Sequence, residues 1–539
     1  MGVHVMLEID PRGIDPADWE AAFDETVMLL SAWQPPLLGW SRRVVEGVRV
    51  AMYTNAVVNA DSGAAHWCVV GDRESLQTAD RQLLHRSLFK YRELCREAES
   101  KASSADIVVD AARADNQDNR KYVTVLGDAT QGHPYHLAVL AAAMLIEERF
   151  PQHAMVSGDI DRGQAKEAAR LAGPILKRVL PLPVRVDAPR LIVRLRGGCE
   201  PAEIADAFHR VYLGEFGADE AVLRAFPGEA GAKPWRAALT SHQSPSATGV
   251  VRLLIDWLNS GRRLSDACRF ACLDPTGPRY AAEAFVNTLA LTWVAVPMSA
   301  RRVLEVFQKP NGAPRCIASL FGSFFCEIKS LGCLLRINME LDEIAHELSD
   351  AFGAAAVALL RRLFEQSVAI EGSLSELTQG VAALVEQAEL GELDRTESLV
   401  TIQNVDALSE AQELWLRVMA WKVTRTILRL DLLPGGRHAF KTTRKARQFI
   451  ARMIAEHGPI ITEDAWTRID AEQSLEVLNW CAALVSLQAK EVHLSQVRRA
   501  LLENPRLLQR AMLIASDASQ MNTVEKLVTI ASQANHIPN

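Results

Sequence analysis

The sequence predicts an α/β or α+β amino-terminal region with a partly parallel sheet, followed by a large all-α carboxyl-terminal region. Three observations predict it. Val3, Val5, Leu7 and Ile9 alternate with His4, Met6 and Glu8, which is the period of a half-buried strand. From Val123 to Gln164 the chain reads strand, loop, helix, strand, loop, and both loops open on Gly-Asp. Past Gly197 and Gly198, helix follows helix to the end.

The elements follow in order. After the opening strand, Asp15 suits a helix cap and Pro16 a first helical position. Trp19, Phe23, Thr26, Val27, Leu30 and Trp33 then recur at helical spacing. "VVEGVRVAMYT" and "HWCVVGD" are expected strands, and "SLQTADRQLLHRSLFKYRELCREAES" an expected helix. Residues 1–105 therefore form a β-α-β-β-α lobe. Residues 106–196 form an α/β lobe that opens on the strand "KYVTVLG". "PYHLAVLAAAMLIEERF" is apolar on nearly all sides, so a buried helix is expected. "HAMVSGD" is a short strand. The next helix lines up Ala165, Ala168, Ala169, Ala172, Ile175, Leu176 and Val179, with Pro174 set to kink it. "PVRVDAPRLIVRLR" supplies one or two further strands. Alternating strands and helices argue for parallel pairing through right-handed crossovers. Residues 197–539 are helical, with a division into two domains expected near 340–400. No fixed helical repeat is visible.

Composition sets the bounds. The chain has 539 residues, 49% hydrophobic and 23% charged, ordinary for globular domains. At roughly 100–200 residues per domain, about three domains are expected. The net charge of −7 argues against a dedicated nucleic-acid binder, which is usually basic over at least one domain. The opening "MGVHVMLEIDPRG" has no basic leader, and the apolar run "LALTWVAVP" is far shorter than the ~20 residues a bilayer needs. A soluble, cytoplasmic protein with no membrane partner is expected. Usage rich in Ala, Leu and Arg points to a bacterial source. Nine cysteines stand at irregular spacing with no C-x-x-C pair, so free thiols are expected rather than a disulfide framework.

The two Gly-Asp loops are the first candidate site. In "LGDATQGHPYH", Gly127 and Gly132 have the spacing of a phosphate loop, but His133 and Pro134 stand where Lys and Ser or Thr belong. A Walker-type NTPase is therefore not expected. Should the strands before the two loops pair in parallel, both loops leave one carboxyl edge, where open α/β sheets bind ligands. Asp128, Thr130, His133, His136, Asp159, Asp161 and Arg162 are then the candidate ligand-binding residues. Carboxylates with histidine suit a divalent cation or acid–base work. No other cofactor is expected. The plainer reading is that Asp and Gly make turns, Asp161 caps the next helix, and His136 is a hydrogen-bonded structural histidine.

Two further candidates follow. Cys199 stands between an expected strand and an expected helix near Pro201, and a helix N-terminus activates a thiol. Arg437, Lys441, Arg444, Lys445 and Arg447 form the densest part of a basic run that follows an acidic one. Such a run suits nucleic acid or an acidic protein, or else is an ordinary solvated face. G-x-S-x-G, H-E-x-x-H and G-x-G-x-x-G are all missing. The resulting expectation is a non-catalytic bacterial adaptor or immunity-type protein that binds a protein partner. An enzyme or nucleotide sensor acting through the Gly127–His136 and Gly158–Arg162 loops is the first alternative. Nucleic-acid binding through residues 437–447 is the second.

Overall fold

A computed structural model describes residues 3–55, 57–58, 66–95, 106–113, 122–214, 217–290, 292, 294–295, 335–363, 405–432, 440–457, 461–487, 492–517, 519 and 521. The chain opens on β1 (Val5–Ile9) and α1 (Pro16–Ser31). The Asp15 carboxylate caps α1, accepting from Ala17 N at 2.8 Å. Four strands follow: β2 (Leu37–Val45), β3 (Val48–Thr54), β4 (His66–Asp72) and β5 (Thr78–His85). Glu46 and Gly47 join β2 to β3, both with positive φ, as a two-residue hairpin of the mirror-turn type requires. Next come α2 (Phe89–Cys95), α3 (Ile107–Arg113), β6 (Val123–Leu126), α4 (His136–Arg149), β7 (Ala154–Gly158) and α5 (Arg162–Leu176).

The sheets are antiparallel, not partly parallel. One has the order β6-β1-β7 and the other β3-β2-β4-β5. β6 and β7 run in the same direction, as their crossover through α4 requires, but they are not neighbours. β1 lies between them and runs against both, with Leu7 opposite Leu126 and Val156. The pairing partner comes from far upstream, so the local strand-helix-strand order could not reveal it.

Two more expectations change. The segment read as a long helix before Cys95 is β5 plus the short α2, because Gln82 and Leu84 turn inward at strand spacing. The segment read as strands after Pro183 is a 3-10 turn (Val184–Val186) and α6 (Ala188–Arg196). Asp187 caps α6, Pro189 sits in its first turn, and Leu191 and Leu195 bury one face at i, i+4 spacing.

A single hydrophobic core joins β1, α1 and β4 to α4, β7 and α5. α4 crosses it with every residue from Ala138 to Ile146 buried. The one carboxylate buried in this helix, Glu147, accepts from Val156 N at 2.7 Å and Val184 N at 2.6 Å. Burial pushes its pKa up, and these two N–H donors pull it back.

The remaining described elements are helical. α7 (Ile204–Val211), α8 (Ala218–Ala225), α9 (Glu229–Thr240), α10 (Thr248–Asn259), α11 (Leu264–Cys268), α12 (Ala282–Ala290) and α13 (Leu341–Phe352) precede residue 364. α14 (Glu410–Arg429), α15 (Thr443–His457), α16 (Glu463–Ala471), α17 (Leu475–Ser486), α18 (Val492–Glu503) and α19 (Pro505–Ser516) come after residue 404. This last group packs on the second sheet: Val45, Val50 and Met52 share a core with Leu416, Ile450 and Trp466. Tyr53 N donates to Ile461 O at 3.0 Å, and Asp464 accepts from Arg73 at 2.7 Å. Among the described residues no helix is long and apolar enough to cross a membrane.

Candidate functional site

Because β6 and β7 both oppose β1, their carboxyl ends arrive at the side of the sheet where β1 begins. The two Gly-Asp loops do meet there, and residues 3 and 4 lie between them. Thr130 N and Gln131 N donate to Val3 O at 2.7 and 3.1 Å. Asp159 N donates to His4 O at 2.9 Å, and His4 N donates to the Asp159 carboxylate at 2.9 Å. His4 Nδ1 donates to Gly127 O at 3.0 Å, since a carbonyl only accepts. Gly158 has φ +100°, and a Cβ there would stand 2.6 Å from His4 O. The chain therefore passes too close for any other residue.

Each predicted site residue has a place. Thr130 is fully buried; its hydroxyl donates to Val3 O at 3.0 Å and lies 2.7 Å from His136 Nδ1. His136 is 3% exposed. Burial pushes its pKa down to about 4 against the pull of Asp159 and Asp161, so it is neutral at neutral pH. Its Nε2 is buried with no hydrogen-bond partner among the described residues. His133 precedes α4, which begins at His136, so the two histidines do not share a helical face. Burial and then Arg499 of α18 lower the His133 pKa. Asp161 caps α5 in a capping box with Gln164, at 2.7 and 3.1 Å. Arg162 opens α5 with its Nε buried and unpartnered among the described residues. Asp128 is exposed, and its backbone oxygen accepts from Gln82 Nε2 at 2.7 Å. Among the described residues, no three His, Cys, Asp or Glu side chains are grouped so as to hold a metal ion.

Thr130→Val tests the joint. It keeps the volume and removes the hydroxyl that links His136 to Val3. A loss of about 1–2 kcal/mol in chemical denaturation is expected. An unchanged midpoint would mean the hydroxyl holds nothing.

Cys199 does not stand after a strand or at a helix N-terminus. It follows α6, its N–H bonds Leu195 O at 2.7 Å, and α7 starts only at Ile204. The residue is buried in a cluster with Val109, Leu195 and Phe208. In the basic run, Arg437 lies outside the described residues. Lys441, Arg444 and Lys445 are exposed, and Arg444 bonds Glu46 at 2.9 Å. Arg447 donates to Asp470 O at 2.9 Å. Only part of the run therefore remains an uncommitted basic surface.

Sequence reasoning missed His4 and Gln82. His4 falls on the polar side of its strand, and Gln82 lies in a segment with a helical look. It also missed a cleft of about 660 Å³ beside the π-helical turn Arg269–Leu273. Arg236, Arg262, Trp257 and Phe270 line it. Its arginines are committed, Arg236 to Glu229 at 2.7 Å and Arg262 to Phe226 O at 2.9 Å. Compared with family models, curated proteins and solved structures, the chain finds no match.

Proposed function

We propose that this chain is a non-catalytic protein-interaction component of the bacterial cytoplasm, an adaptor of the toxin-neutralising or secretion type. One observation supports this reading above the others. Several polar groups of the two Gly-Asp loops are spent joining the chain to itself: Asp159 and Gly127 O both bind His4, Thr130 ties His136 to Val3, and Asp161 caps α5. An enzyme site needs such groups aimed at a reacting atom.

The test is a thermal-shift panel of nucleotides, phosphosugars and divalent metals on the purified chain. A ligand at about 100 times its Kd adds roughly 2.7 kcal/mol of stability, enough to move a melting curve. The expected result is no shift with any compound. A shift that disappears in Asp159→Ala would overturn the reading in favour of a ligand sensor. That second reading has one observation behind it, the buried Nε2 of His136, unpartnered among the described residues and close to Asp159.

A further inference from the structure

The register of β2 and β3 sets Trp40 opposite Tyr53, Arg42 opposite Ala51 and Val44 opposite Arg49. Opposed and alternate residues share a face of a sheet. Trp40, Arg42, Val44 and Arg49 are therefore on one face, and Val45, Val50 and Met52 on the other, buried against the carboxyl-terminal helices. β5 adds Arg81 to the first face. The guanidinium carbons of Arg42 and Arg81 lie 4.8 and 5.2 Å from the centroid of the Trp40 ring. Arg42, Arg49 and Arg81 are all exposed, and Val44 is 66% exposed.

None of these three arginines has an ion pair or hydrogen bond among the described residues. Arg73, Arg86 and Arg444, on adjoining elements, each hold a carboxylate. The chain has 66 acidic against 59 basic side chains, so a shortage of carboxylates does not explain the difference. β2 pairs with β4 only at Leu37 and Leu38. Beyond Leu38 its outer edge has no strand partner among the described residues.

We propose that this face docks an acidic, extended segment of a partner protein. The proposal rests on the protein-interaction reading above and names the chemistry of the partner. Stacked guanidiniums keep their planar N–H forks free for carboxylates, which they bind in pairs. Beyond Leu38 the edge of β2, unpaired among the described residues, offers backbone groups to an extended chain, the mode by which peptides add to sheets. A nucleic-acid strand fits less well. Trp40 is already engaged by two guanidiniums, so it offers bases no free stacking platform.

The probe is a fluorescein-labelled peptide of alternating Glu and Val, titrated with the full-length chain at low salt and read by anisotropy. Wild type binds it, and added salt weakens binding. The matched Gln-Val peptide does not bind. Arg49→Glu and the double variant Arg42→Ala/Arg81→Ala each weaken binding about tenfold or more, the loss of a charge-assisted hydrogen bond or two. Arg43→Glu makes the same charge change on the opposite face and stays within about twofold. Arg49 is exposed and stands opposite the exposed Val44, so Arg49→Glu is expected to keep the fold, and an unchanged melting curve checks this.

Equal loss in Arg43→Glu would overturn the proposal, because diffuse charge would then explain binding. Tighter binding of labelled oligothymidylate through the same arginines would overturn it in favour of nucleic acid. No peptide binding together with a silent thermal-shift panel removes this face and leaves the interaction reading standing. A panel ligand lost in Asp159→Ala removes the interaction reading itself, and the proposal with it.

Discussion

Asp256→Asn is expected to raise stability above pH 7 by up to about 4 kcal/mol and to leave it unchanged below pH 4. Asp256 lies on α10, 8% exposed, facing Gly217 at the start of α8. Burial first, then the charges of Asp219 and Glu220, push its pKa from 3.8 to about 7, while Arg252 and Arg336 pull it down. The folded chain therefore keeps a proton that the unfolded chain releases near pH 4. Across that window the folded state binds more protons, so stability falls as pH rises and the full loss stands above pH 7. Asparagine keeps the shape and cannot ionise. His209 bonds Asp219 at 3.1 Å, and that bond raises its pKa. Its contribution is complete below about pH 6.5 and is lost as pH rises through the folded value, in the same direction. Urea denaturation midpoints from pH 4 to 8, with and without the substitution, isolate Asp256. An equal gain at both ends would show that packing, not protonation, is responsible.

Glu147→Ala should lose about 3 kcal/mol or more. The substitution leaves the amides of Val156 and Val184 without acceptors in the core, and each orphaned buried donor costs about 1–3 kcal/mol. It also opens space in a helix with no free side. Glu147→Gln keeps the volume but turns an NH₂ group toward one of the two donors, so it recovers only part of the loss. Hydrogen exchange at Val156 and Val184 should quicken in both variants. A loss below 1 kcal/mol in the alanine variant would mean that water or a shifted backbone replaces the carboxylate.

Local chemistry was legible wherever partners were close in sequence. Asp15 and Pro16 announce α1, the unbroken apolar run announces α4, and Asp161 with Gln164 marks the start of α5. Pairing over long distances was not legible. Nothing in "VTVLGD" or "HAMVSGD" states that a strand beginning at Val5 separates them, so a parallel sheet was the natural inference. The two errors of element type have separate causes. In "TADRQLL" the polar side of the strand is charged enough to pass for a helix surface. In "PVRVDAPRLIVRLR" the Val and Arg alternation outweighed the Asp187–Pro189 start signal, which is the same signal read correctly at Asp15. Both Gly-Asp segments are loops between a strand and a helix, as expected, but what fills the space between them comes from residues 3 and 4, far upstream.

The central position of β1 in its sheet has a consequence for biosynthesis. Translation delivers β1 before either of its neighbours, and the bond from His4 to Asp159 spans 155 residues. At about 5–20 residues per second, the ribosome leaves that strand without its second partner for roughly 8–30 s. Its nascent backbone edges are open to any passing chain during that time. The hairpin of β2 and β3, closed by two residues, meets no such delay. Burdens at the start of the chain, such as a bulky fusion or a crowded polysome, should therefore reduce the yield of folded protein more than the same burdens placed after α19.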